Sequence, residues 1–199
     1  LIIILHSTAG GTGSGLGTRL SEAVREAFPT ITRVNICVSP YSTGEVAVQH
    51  YNSLLCLAKI SSASDAVLLF ENDKAHQLCK AVWQIASPSL SDINKMIATQ
   101  MVPFLLPKNA YPAQQGSRPR CLVDDISHLC KHPSYKFLDI RCVPQTMRTA
   151  IDFTYDKWEI LGGSLYKLLE SGQACEPMLS SSRSAGTHKV DGETFPKES

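Results

Sequence analysis

The chain has 199 residues, 43% of them apolar and 19% charged, with a formal net charge of +1. That composition can furnish a buried core and excludes a disordered chain, and without a basic cluster there is no electrostatic case for nucleic acid or an anionic membrane. The seven cysteines are odd in number, scattered and without a C-x-x-C pair, which suits free thiols in a reducing compartment better than a disulfide frame or a zinc site.

Leu1-Ile2-Ile3-Ile4-Leu5 is too short to span a bilayer and lacks the basic flank and cleavage site of a signal peptide, so it reads as a buried parallel strand. A chain opening in mid-strand without Met is expected to be a piece of a longer protein. The run Ala9-Gly10-Gly11-Thr12-Gly13-Ser14-Gly15-Leu16-Gly17 follows, then Thr18 to Phe28, where Leu20, Val24 and Ala27 recur at helical spacing. Strand, glycine turn and amphipathic helix together present backbone N–H groups and a helix N-terminus to an anion, so the run predicts a phosphate cradle. Its glycines permit positive φ and leave no Cβ before a ligand, while Thr12 and Ser14 add hydroxyls. Commoner glycine motifs fail. A Walker loop needs Lys after the last glycine, the dinucleotide fingerprint would need glycine at Leu16 or Thr18, and a nucleophile elbow would need glycine at Thr12.

Arg33 to Val38 is a second strand, ended by Ser39-Pro40. Val46 to Ala58 is helical, with Val48, Tyr51, Leu55 and Ala58 as its apolar stripe, and Ala66 to Phe70 is a strand buried on both faces. Glu45 and Asn72 stand after strands, where an open α/β sheet binds ligands. Each also has an ordinary role, Glu45 beside a helix dipole and Asn72 as an N-cap. Ser87 to Asn94 introduces the longest helix, which runs to about Phe104 and buries Ile93, Ile97, Met101 and Phe104.

Pro107 to Pro119 is a Pro-, Gln- and Ser-rich connector and marks a boundary. A short helix carries Leu122, Ile126 and Leu129 on one face, with Asp124 exposed opposite. Phe137 to Val143 alternates as a half-buried strand starting a second domain, and Phe153 to Leu169 is a helix with Trp158, Leu161, Leu165 and Leu168 inward. A Ser-rich flexible segment begins at Glu176. The division is therefore 1–107, a connector 108–120, a second domain 121–175 and a tail 176–199. The histidines lack metal-ligand spacing, so no metal site is expected.

His6-Ser7-Thr8-Ala9-Gly10-Gly11-Thr12-Gly13-Ser14-Gly15-Leu16-Gly17-Thr18 resembles the tubulin signature, whose loop G-G-T-G-S-G binds guanine-nucleotide phosphates. Gly44-Glu45-Val46-Ala47-Val48-Gln49-His50-Tyr51-Asn52-Ser53, Phe70-Glu71-Asn72-Asp73 and Ser91-Asp92-Ile93-Asn94 follow in that superfamily's order and spacing. Residues 1–172 are covered, and the details look most like the delta branch, which is centriolar and ciliary.

The resemblance implies an α/β fold: the second half of a tubulin-type, parallel-sheet GTP-binding domain, joined by a long core helix to the start of an α+β intermediate domain. It implies GTP or GDP held by Ser7, Ala9, Gly10, Gly11, Thr12, Gly13, Ser14 and Gly15, with Glu45 near the ribose and Asn72 and Asn94 on guanine. Magnesium would arrive with the nucleotide, its ligands and the first phosphate loop lying outside this chain. Leu90 replaces an aromatic that stacks on the base, a loss of roughly 0.5–1.5 kcal/mol, and Gln49 stands where many tubulins have glutamate. Asp124 stands where some members carry a glutamate that helps hydrolyse a neighbouring subunit's GTP, so hydrolysis would be completed at a subunit interface.

The implied partners are other tubulin subunits or centriolar microtubules, with neither nucleic acid nor membrane. The implied place is the cytoplasm and cytoskeleton at centriole, basal body and cilium, with the nucleus as a further compartment. A second reading is a non-hydrolysing structural or interaction protein of the centriole that keeps the fold with weak or no nucleotide binding. Leu90 and Gln49 favour it and the intact glycine run opposes it.

Overall fold

A computed structural model describes residues 1–44, 47–106, 121–145 and 157–175. The expectations for the connector, for residues 153–156 and for the tail lie outside the described residues. Four strands, β1 (Ile2–Ser7), β2 (Arg33–Ser39), β3 (Ala66–Glu71) and β4 (Phe137–Leu138), form one parallel sheet in the order β1-β2-β3-β4. The helices are α1 (Gly17–Ala27), α2 (Gln49–Ala63), α3 (Asn72–Ala81), α4 (Leu90–Leu105), α5 (Leu122–Leu129) and α6 (Trp158–Ser171). This is the expected α/β class.

β2 and β3 are buried along almost their whole length, as apolar runs covered by helices on both faces must be. Period-two alternation sends Val34, Ile36, Ala66, Leu68 and Phe70 into a cluster with α3, α4 and α5. Cys37 and Val67 face the other way, onto Cys56 and Ile60 of α2. α4 starts on a capping box in which Ser89 and Asp92 satisfy each other's backbone N–H groups. It buries Ile93, Met96 and Ile97, with Met101 and Phe104 packed against the cluster, as its stripe predicts.

Several expectations fail, each for a physical reason. β1 is not buried: Ile3 and Leu5 are exposed and alternate with half-buried Ile2 and Ile4, because no described element covers its α3–α4 side. The stripe of α2 points outward, with Val48, Tyr51, Leu55 and Ala58 exposed and Gln49, Cys56, Ile60 and Ala63 inside. In α1, Leu20 is exposed and Ala27 with it, while Gly17, Thr18 and Ser21 face the sheet. The strand expected over 137–143 is only two residues long. It pairs with β3 and so extends the first sheet, anchored by Val67 N–H donating to Lys136 O at 2.7 Å. Trp158, expected inside, is 86% exposed, and Leu168 is the fully buried residue of α6.

Candidate phosphate-binding turn

β1 ends where the Thr8 N–H donates to Val38 O at 3.0 Å. Thr8 is fully buried, and the chain bends over Thr8 to Gly10 before winding into a π-helical segment, Thr12–Leu16, that runs straight into α1. The glycine run is therefore mostly the first turns of a helix rather than an open loop. π-Helical insertions of this kind are common at functional sites.

Positive φ, which glycine permits, is not used in the run: among the described glycines only Gly172 has it. Close approach is used instead. A Cβ on Gly13 would lie 2.2 Å from Ser7 O, and one on Gly17 would lie 3.0 Å from the His6 ring. By contrast, a Cβ on Gly10, Gly11 or Gly15 would meet nothing within 4 Å.

Ser14 fixes the direction of the turn. Its N–H donates to Gly10 O at 2.9 Å and its Oγ donates to the same oxygen at 2.8 Å. In a trans peptide the C=O and the following N–H point oppositely, so the Gly11 N–H faces out of the helix end. The first amides of a helix have no intrahelical acceptor and carry the positive end of its dipole. Ser7 and Thr12 are exposed beside them, with Ser7 Oγ accepting from Ala9 N–H at 3.3 Å.

α2 closes the turn from the side. Asn52 Nδ2 donates to Ala9 O at 2.9 Å, Ser53 Oγ lies 2.9 Å from Thr8 Oγ1, and it also donates to Thr8 O at 3.3 Å. Gln49, buried, donates from Nε2 to Tyr41 O at 2.9 Å. Sequence reasoning missed the roles of Asn52 and Ser53, and singled out Gln49 only as a departure from the family's glutamate. Their signal was a second stripe, Gln49, Asn52, Ser53 and Cys56, at the same helical period as the apolar one.

Beneath the turn, Cys37 Sγ lies 3.5 Å from His6 Nε2, and Thr18 Oγ1 donates to Cys56 Sγ at 3.4 Å. Burial, helped by Cys56, pushes the Cys37 thiol up to about 12, and burial also raises Cys56. Both are packing groups, protonated at neutral pH.

Asn72 is the first residue of α3, directly after β3. Because β1 and β3 are parallel within one sheet, it sits at the same end of the sheet as the glycine turn. Asn94 is exposed in the second turn of α4, and Leu90 at the helix start is 70% exposed. Among the described residues neither carboxamide makes a hydrogen bond. Glu45 lies outside the described residues. Ser42 N–H donates to Asp73 Oδ2 at 2.8 Å and Tyr41 Oη lies 3.3 Å from His76 Nδ1, tying the segment after β2 to α3.

Asp124 is in the first turn of α5 and accepts from Cys121 N–H at 3.1 Å. A cavity of about 380 Å³ lies between α5 and the residues that precede β2 and β3, Thr32 and Asp65. That places α5 at the opposite end of the sheet from the glycine turn. Among the described residues no group of three or more His, Cys, Asp or Glu could hold a metal ion.

A parallel sheet whose first strand feeds a glycine turn and helix, with polar residues at the same strand ends, defines an open α/β domain with a candidate anion site at its strand ends. Residues 1–80 match the family described as Tubulin/FtsZ family, GTPase domain. The human tubulin delta chain is 36% identical over 173 residues, which cover 87% of this chain and 38% of the relative. The mouse tubulin delta chain is 34% identical over the same shares, and the tubulin gamma chain of Saccharomyces cerevisiae is 30% identical over 83% of this chain and 33% of the relative. The chain thus spans a little over a third of the delta chains it matches. It belongs to the tubulin superfamily and is similar to delta-tubulins.

Proposed function

We propose that this chain is the guanine-nucleotide-binding part of a delta-tubulin-like cytoskeletal protein that works with other tubulin subunits at centrioles, basal bodies and cilia. One observation carries the reading: a parallel strand feeds a glycine run that heads a helix, with the Gly11 N–H facing out of the helix end and open space beside Gly10 and Gly11, the arrangement that receives an anion. Ser7, Ala9, Gly10, Gly11, Thr12, Gly13, Ser14 and Gly15 form the phosphate turn, Asn72 and Asn94 read the base, and Glu45 takes the ribose. Leu90, exposed at the head of α4, offers the base an aliphatic contact. A magnesium ion would accompany the nucleotide, neutralising phosphate charge. Division at 1–107, 108–120, 121–175 and 176–199 belongs to the same proposal, with β4 joining the first sheet.

α5 borders Thr32 and Asp65, which precede β2 and β3, whereas the glycine turn follows β1. That supports a role for Asp124 in trans, on a nucleotide of the adjoining subunit, where a carboxylate can orient water. The test is GTP titration of the full-length protein by calorimetry, with Gly11→Val alongside. The wild type is expected to bind, and Gly11→Val to bind about tenfold more weakly or worse while keeping its fold, since the valine displaces the anion and nothing in the protein. A wild type that localises to centrioles yet binds no GTP supports the structural-protein reading instead.

A further inference from the structure

We propose that Asn52 and Ser53 are positioning residues that hold the glycine turn in its anion-binding form, an inference that rests on the guanine-nucleotide reading above. The first two turns of α2 face the wrong way for burial, although Ile60 and Ala63 further along are inside. α2 carries Val48, Tyr51, Leu54 and Leu55, all more than half exposed, and turns Gln49, Asn52, Ser53 and Cys56 inward. Apolar burial alone would favour the opposite rotation. What the polar face obtains by pointing inward is a set of hydrogen bonds to the turn, and these bonds fix peptide planes.

Asn52 Nδ2 donates to Ala9 O at 2.9 Å, so the Ala9 carbonyl points at α2. The Gly10 N–H, on the far side of the same trans peptide plane, then points away from α2, and Gly10 is exposed. Ser53 fixes the preceding plane through Thr8 O at 3.3 Å and holds the Thr8 hydroxyl at 2.9 Å. Ser14 fixes the following plane through Gly10 O. Successive amides at Gly10 and Gly11 are thus aimed outward by side chains bonded to the carbonyls of Thr8, Ala9 and Gly10. A preset donor pair does not have to be ordered when the anion arrives, which is the source of its affinity.

The same face of α2 carries the effect further. Gln49 holds Tyr41 O, and residues 41 and 42 are held by His76 and Asp73 of α3, beside Asn72. A rotation of α2 would therefore disturb the phosphate turn and the start of α3 together, coupling the two ends of the proposed nucleotide site.

The experiment measures the affinity of the full-length protein for GTP, GDP and GMP, the weakest by competition, in wild type, Asn52→Ala, Ser53→Ala and Ser53→Thr. Asn52→Ala is expected to weaken GTP and GDP about tenfold, the factor of one lost hydrogen bond, and to change GMP less, so that the preference for GTP over GMP falls. Ser53→Thr keeps the hydroxyl and should bind like wild type, while Ser53→Ala should lose affinity. A purely structural role lowers all three nucleotides equally, and that result overturns the proposal, as does unchanged GTP affinity in Asn52→Ala. Should Asn52→Ala not fold, the serine pair decides: equal affinity in Ser53→Ala and Ser53→Thr overturns it. Failure of the wild type to bind any of the three overturns the guanine-nucleotide reading itself.

Discussion

The two faces of the sheet are built on different chemistry. On the α3–α4–α5 side, Val34, Ile36, Ala66, Leu68 and Phe70 meet Leu78, Ile93, Met96, Ile97, Leu122 and Ile126, all apolar and all buried. On the α1–α2 side, and in the turn that feeds it, lie the buried polar residues Thr8, Ser14, Thr18, Ser21, Arg33, Asn35, Gln49 and Ser64. There Ser21 Oγ donates to Asn35 Oδ1 at 3.0 Å, Asn35 Nδ2 donates to Ser64 Oγ at 2.5 Å, and Arg33 pairs with Asp65 at 3.2 Å. One face holds the sheet together by non-directional burial. The other adds directional bonds to a smaller apolar cluster of Cys37, Cys56, Ile60 and Val67, and it is the face that carries the glycine turn.

The contrast can be broken from either side. The largest loss of stability should come from the apolar face: Leu68→Ala, at a fully buried position, is expected to cost about 2–5 kcal/mol in equilibrium denaturation, and a cost below about 1 kcal/mol would mean that this face is not the main core. Asn35→Ala on the polar face should cost less, about 1–3 kcal/mol, by stranding the Ser64 hydroxyl, since Ser21 Oγ keeps its bond to Gly17 O at 2.9 Å.

A smaller effect is expected at the start of α4. The Ser89 hydroxyl and backbone N–H hold the Asp92 carboxyl below its usual 3.8. A depressed carboxyl pKa adds stability above the unfolded value, and that stability is lost as the pH falls through the folded one. Acid titration below pH 4 should therefore fray the start of α4, read as faster amide exchange at Asp92, and Asp92→Asn should abolish that pH dependence. Smallest of all, Leu55→Ser on the outward stripe of α2 should change stability by no more than about 0.5 kcal/mol, and a larger loss would show that this stripe is buried after all.

The apolar face was legible in the sequence because β2, β3 and α4 obey one rule, apolar residues inward at the period of the element. The glycine turn was legible because its spacing excludes the common motifs and resembles one family's signature. α1 and α2 were misread because each carries two stripes at the same period, and periodicity cannot say which one a tertiary hydrogen-bond network will claim. In α2 the claim was made by Thr8 and Ala9, more than forty positions away in sequence. β1 was misread because an apolar run does not reveal how many of its sides are covered. Trp158 and Leu168 were assigned inward by the same stripe logic, and of the two Leu168, at the other end of α6, is buried while Trp158 is exposed.

Amide hydrogen exchange over the peptide spanning Ser7 to Leu16 in the full-length protein, with and without saturating GTP, tests the central claim most directly. Strong protection on GTP addition, centred on the amides of Gly10 and Gly11, is the predicted result. Exchange at those two amides that does not change while GTP is bound elsewhere would contradict it.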